Sequence, residues 1–317
     1  MDFQTLVDTD AVGIKIEHDE AVMMLGSCFA EDVGNLLKRS MLALCINPFG
    51  TLYNPRSIAQ SLRRLMADLP FYADELVAYG NLWHSMSHHS RFSSVDKDRA
   101  LQKINAAYAE GVACLRSARH LIVTFGTAYT FSAANCHKMP ASMFNRRMLS
   151  TNEIADEWIP LIDDIRKFNP HIDITFTVSP VRHLADGAHG NQLSKSTLLL
   201  AADRIMAQRP GVCHYFPSYE IMLDQLRDYR FFAADMVHPS DVAVAYVAER
   251  FKASCLSDRA RQACTRCEKV YARLLHRPLT DDSKAAEAFR AATRRAADTL
   301  SADMPYVKTI IDKLLKQ

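Results

Sequence analysis

The chain has 317 residues, 49% of them hydrophobic and 23% charged, with a net charge of +2. These are globular proportions with ample length for a buried core. There is no long basic block to meet nucleic acid, and no stretch approaches the roughly 20 apolar residues that cross a bilayer. The opening "MDFQTLVDTDAVGIKIEHDE" has no basic start and carries acids where an apolar leader would lie. A cytoplasmic protein is therefore expected, with its eight cysteines as reduced thiols.

In chain order, "AVMMLG" (21–26) reads as a buried strand, and a helix follows from near Ser27. "LALCI" (42–46) reads as a second strand. "NPRSIAQSLRRLMADL" (54–69) reads as a helix, with Asn54 as its N-cap and Pro55 at its first position. The stretch 70–97 is irregular and holds "WHSMSHHSRFSS". A helix over 98–117 leads to the strand "HLIVTFG" (120–126), and a helix over 151–168 leads to "IDITFTVSP" (172–180). A helix over 192–208, a weaker fifth strand "GVCHYFPS" (211–218) and a helix over 238–256 complete the series. Each strand is short, aliphatic and closed by Gly or Pro. Their alternation with helices predicts a parallel sheet covered on both faces. From Ser257 onward the pattern is helical and Ala/Arg-rich, with two or three helices broken at "HRPLTDD" (276–282) and at Pro305. A sheet domain over 1–256 and a C-terminal helical extension over 257–317 packed on it are expected.

A strand ending at Gly26 puts Ser27 and Cys28 at the C-terminal edge of the sheet, where open α/β sheets bind ligands. The first turn of the following helix carries unpaired N–H groups and partial positive charge. That setting is expected to lower the Cys28 pKa below the ordinary value of about 8.5. The structural alternative is that Ser27 caps the helix and Cys28 packs beneath it. In "DMVHPS" (235–240), Asp235 lies three residues before His238. Such a turn lets the carboxylate hold one ring nitrogen and leave the other for a nucleophile. Here the alternative is that Asp235 or His238 caps the next helix.

Together these residues resemble the SGNH (GDSL-like) hydrolase superfamily, in which a Gly-Asp-Ser turn follows the first strand and an Asp-x-x-His lies near the end of the domain. More closely, the chain is similar to the GSCFA family through "GSCFA" itself (26–30), "NPFGTLYNPRSI" (47–58), "WHSMSHHSRFS" (83–93), "TFGTAYTF" (124–131), "TVSPVRHLADG" (177–187) and "NQLSKS" (191–196). The resemblance implies a three-layer α/β/α, SGNH-hydrolase-like (flavodoxin-like) fold, with a mainly parallel five-stranded sheet and a C-terminal helical extension. It implies an acyl-transfer enzyme of esterase or thioesterase type, without a cofactor, acting on a small-molecule or carbohydrate acyl substrate. The alternatives are an acyltransferase to a carbohydrate, or a non-catalytic ligand-binding protein that keeps the fold.

Laid on this chain, the resemblance makes Cys28 the nucleophile, since the spacing from the glycine is then kept; a one-residue shift makes it Ser27. His238 is the base and Asp235 its orienting partner. Gly50 fits the first oxyanion donor through its backbone N–H. The loop after the third strand reads Gly126-Thr127-Ala128, so the superfamily's asparagine is missing there. Its donor must come from the backbone or hydroxyl of Thr127, or from Asn135. One lost oxyanion donor costs on the order of a hundredfold in rate.

His137 and Lys138 follow Asn135, Arg182 and His183 end a strand, and Asn191, Ser194 and Lys195 open a helix. Arg182 and Lys195 suit a carboxylate or phosphate on a substrate, or else a structural salt-bridge network. His84, His88 and His89 invite a metal reading, but no helix pattern aligns them and no metal is expected. Cys264 and Cys267 read as ordinary thiols.

Overall fold

The structure, a computed structural model, describes residues 4–131, 139–277 and 284–316. Five strands form its main sheet: β1 (Val22–Gly26), β2 (Leu44–Ile46), β3 (His120–Phe125), β4 (Asp173–Val178) and β5 (Cys213–Tyr215). They pair in the order β2-β1-β3-β4-β5, every pair parallel. Alternate residues of each strand face opposite layers, so strands covered on both faces read as continuous apolar runs. Met23, Leu25, Leu121, Val123 and Phe176 face one layer. Val22, Met24 and Ile122 face the other.

The first layer holds helices α2 (Pro55–Ala67), α3 (Lys97–Ser117), α4 (Thr151–Phe168) and α5 (Gly187–Gln208). The second holds α1 (Cys28–Lys38) and the helix Asp241–Cys255. Local chemistry sets where they start. Asn54 Oδ1 accepts the Ser57 N–H at 2.9 Å and Pro55 stands at the first position of α2. Ser150 and Glu153 form a reciprocal capping box on α4. Along α2, Ile58, Leu62 and Leu65 recur at helical spacing and are fully buried, each worth roughly 1.5–3 kcal/mol of transfer free energy.

The expected α/β/α class holds, and the sheet is wholly parallel. Helix α5 begins at Gly187, ahead of the expected residue 192. Two antiparallel hairpins were not foreseen: Leu76–Tyr79 with Leu82–Ser85 inside the supposedly irregular stretch, and Tyr129–Phe131 with Arg146–Met148. Their strands are three or four residues long, too short for a period to declare itself, and Arg146–Met148 is exposed throughout. The tail forms helices Asp258–Leu275, Lys284–Asp303 and Lys308–Leu314, with a break at Pro305; most of the other expected break lies outside the described residues. Ala260 and Cys264 extend the second layer's core, while Cys267 and Val270 meet Met41, Ala297 and Leu300. Among the described residues no helix is long and apolar enough to cross a membrane.

Candidate active site

The strand order reverses at β1, which has β2 on one side and β3 on the other. The C-terminal edge of such a point is where an open α/β sheet offers a crevice. At this edge β1 ends on Gly26 with φ +141°, and a Cβ there would lie 2.2 Å from the Thr124 carbonyl oxygen on β3. Only glycine fits. Its N–H is fixed by Asn47 Oδ1 at 2.9 Å and its carbonyl accepts the Leu52 N–H at 2.8 Å. The turn that follows is therefore rigid.

Ser27 occupies the N-cap position of α1, but its hydroxyl caps nothing. It is enclosed, 1% exposed, and its oxygen has no hydrogen-bond partner among the described residues. Cys28, the first residue of α1, lines a cavity of about 740 Å³. His238 lines the same cavity. Its Nδ1 is 2.7 Å from Asp235 Oδ2, while Asp235 Oδ1 accepts the N–H groups of Val237 and His238 at 2.9 and 3.0 Å. These bonds, the His238 N–H foremost, hold the Asp235 carboxyl down at about 2. The cap of the next helix is supplied by Ser240, whose Oγ accepts the Ala243 N–H, so Asp235 is committed to the imidazole and its own turn.

The electrostatics of Cys28 reverse the sequence expectation. Burial, and then the Asp32 carboxylate one helical turn on, push the thiol up to about 11. The N–H groups of Phe29 and Cys28 and the Lys195 ammonium pull the other way and lose. A helix N-terminus favours a thiolate only by a partial charge, whereas desolvation acts on the full charge. Burial, and then the Glu31 carboxylate, raise the Asp32 carboxyl in turn, while the positive form of His238 acts against them. Asp32 is a site residue that the sequence reading missed, though its i, i+4 relation to Cys28 signalled it.

Arg182 and His183 both line the cavity. Arg182 Nη1 donates to the Met236 carbonyl at 3.0 Å, and the guanidinium makes no ion pair among the described residues, contrary to the salt-bridge alternative. Burial, seconded by Lys195, lowers His183 to about 4, so its ring is neutral. The opposite wall comes from the unforeseen hairpin: Tyr129 and Phe131, with the Arg146 guanidinium 3.9 Å over the Tyr129 ring and paired to Asp186. Neither hairpin strand carried a pattern that would have found these residues.

Lys195 is not at the cavity surface. It is 1% exposed, and its ammonium donates to the carbonyls of Gly126 and Ser179, each at 2.6 Å. It clamps the ends of β3 and β4, and burial lowers it to about 7. This corrects the expectation of a substrate contact. Ser194 Oγ accepts the Ala128 N–H at 2.8 Å, and Asn191 Oδ1 accepts the His183 N–H at 2.9 Å. The expected oxyanion donors are likewise engaged. The Gly50 N–H donates to Asn47 O at 2.7 Å, and the N–H groups of Gly126 and Thr127 both donate to Tyr53 O at 2.8 Å. The Thr127 hydroxyl is 3.1 Å from Ser194 Oγ. Each donor is drawn off by a nearby loop carbonyl or hydroxyl, which the spacing of residues could not reveal. Asn135, His137 and Lys138 lie outside the described residues. His84, His88 and His89 are held separately: by Ser93 at 2.8 Å, by Ser85 at 2.7 Å, and, at His89, by the Arg91 N–H at 3.1 Å.

The fold and the site define a doubly wound α/β/α protein with a cysteine and a His–Asp pair on one cavity at the edge of its parallel sheet. The model of the GSCFA family matches residues 21–251, and the chain belongs to that family. No curated protein and no solved structure matches it.

Proposed function

We propose that this protein is an acyl-transfer enzyme of esterase or thioesterase type, related to the SGNH (GDSL-like) hydrolases. The observation that carries the reading is that Cys28 and an Asp235-held His238 line one cavity at the C-terminal edge of the sheet. Asp235 engages Nδ1, which leaves Nε2 to act on the nucleophile. Because Cys28 is a thiol at neutral pH, the reaction begins from the thiol rather than from a stored thiolate. Nε2 takes the thiol proton as sulfur attacks the acyl carbon, and the imidazolium returns that proton to the departing oxygen or sulfur. The C–S bond then holds the acyl group as a thioester. Water attacks it in a hydrolase; a sugar hydroxyl attacks it in an acyltransferase. The aromatic wall and Arg182 suit a small-molecule or carbohydrate acyl substrate, with Arg182 free to meet a carboxylate or phosphate. A cytoplasmic setting, without nucleic acid or membrane as partner, belongs to the same proposal.

The test is turnover of p-nitrophenyl acetate together with mass spectrometry of the quenched protein. Cys28→Ala should abolish both turnover and the acyl adduct, and Ser27→Ala should keep much of both. The reverse pattern would move the role to Ser27. Equal activity in both variants would remove the turn from the chemistry.

A specific observation favours a second reading, a ligand-binding protein that keeps the cavity. The three N–H groups expected at the oxyanion are engaged elsewhere, and the thiol is pushed up rather than down. On that reading the adduct never forms, even though the cavity takes up a ligand.

A further inference from the structure

With the N–H groups of Gly50, Gly126 and Thr127 engaged, a tetrahedral oxyanion on the acyl carbon needs a donor from elsewhere. In the first turn of α1 the N–H groups of Phe29 and Cys28 are directed at the Cys28 sulfur, so a side-chain donor is needed for the charge that develops on the acyl oxygen. Asn54 lies in the same cavity wall as Cys28, Tyr53 and Thr127. Its side chain is almost enclosed, with the residue 5% exposed. Its Oδ1 accepts the Ser57 N–H at 2.9 Å. An N–H requires an oxygen as its acceptor, so this bond settles which end of the amide is which. Nδ2 is then the free end. It has no partner among the described residues, yet it does not belong to the buried unpartnered atoms, as Asn47 Nδ2 does. The residue itself lines the cavity that Cys28 lines.

We infer that the Asn54 side-chain amide is an oxyanion donor of this site, replacing the asparagine missing from the loop after β3. The inference rests on the acyl-transfer reading above. Asn54 has two roles at once: the oxygen caps α2 and the nitrogen faces the reacting carbonyl. The cap makes the donor rigid, since the amide cannot rotate without releasing Ser57. The start of α2 is itself anchored, because Trp158 Nε1 donates to the Pro55 carbonyl at 3.2 Å. A donor held in this way needs no reorganisation when negative charge appears on the oxygen.

Two substitutions separate the roles. Asn54→Asp and Asn54→Ser both keep a good helix cap, and both remove the amide N–H; the serine variant does so without adding charge. The measurement is the kcat and KM of p-nitrophenyl acetate turnover in wild type, both variants and Cys28→Ala, with thermal melting as the check on folding. The expected result is a loss of about a hundredfold or more in kcat in both variants, with KM within a few-fold and the melting transition near that of wild type. Turnover that depends on Cys28 but stays within about threefold of wild type in Asn54→Ser would overturn the role of Asn54 and leave the acyl-transfer reading standing. An absence of Cys28-dependent turnover in the wild-type protein would overturn both.

Discussion

The reactivity of Cys28 is where physical chemistry and motif reading part company. A free cysteine with a pKa of about 8.5 is roughly one-tenth thiolate at pH 7.5. Cys28, pushed up to about 11, has on the order of 300-fold less. Alkylation proceeds through the thiolate, so iodoacetamide should label Cys28 on the order of 300-fold more slowly at pH 7.5 than an unhindered thiol. The rate should keep climbing through pH 10. Asp32 supplies the second of the two upward causes, after burial. Asp32→Asn removes that charge, and because each pKa unit is tenfold in thiolate, labelling at pH 7.5 should quicken by about three- to tenfold. The profile should still lie above that of a free cysteine, since burial remains. The assay is iodoacetamide labelling from pH 6 to 10 with peptide mapping, in wild type and Asp32→Asn. Wild-type Cys28 titrating at or below about 8.5 would mean that the α1 N-terminus outweighs desolvation. An unchanged rate in Asp32→Asn would mean that the carboxylate does not act on the sulfur. Either result refutes the reasoning.

Asp235→Asn should lower acyl-ester kcat by about a thousandfold at pH 7, because an amide cannot hold the imidazole in the required tautomer; a loss of less than tenfold would show that the Nδ1 contact is not catalytic. His88 is packed against Phe49, Phe71 and Phe92, and burial lowers it to about 3, far below the ordinary 6.5. The unfolded chain therefore takes up this proton first as pH falls. The contribution of His88 is intact above about pH 6.5 and declines toward pH 3, with about 2 kcal/mol lost from this residue alone between pH 7 and pH 5. Urea unfolding at the two pH values measures this, and a His88→Leu variant that kept the full slope would assign it to other groups; His183, lowered to about 4, contributes with the same sign.

Much of this protein was legible in its sequence because the signals are local. The apolar runs of β1, β3 and β4 are covered on both faces and so declare themselves without neighbours. Asn54 and Pro55 mark the start of α2 by short-range chemistry. The Asp235–His238 bond closes within a single turn of chain, and the glycine before Ser27 and Cys28 marks a backbone position that only glycine can occupy. What remained open depends on atoms that approach from distant segments. Whether Ser27 or Cys28 meets the cavity is decided by the packing of β1 against β3. Whether the N–H groups of Gly126 and Thr127 are available is decided by the carbonyl of Tyr53, which a separate loop brings to them. Lys195 reads as a surface cation until folding encloses it between two strand ends. The charge state of Cys28 follows the same rule: the helix-terminus effect is written in the sequence next to it, but desolvation is the sum of everything packed around the sulfur, and only the tertiary structure supplies that sum.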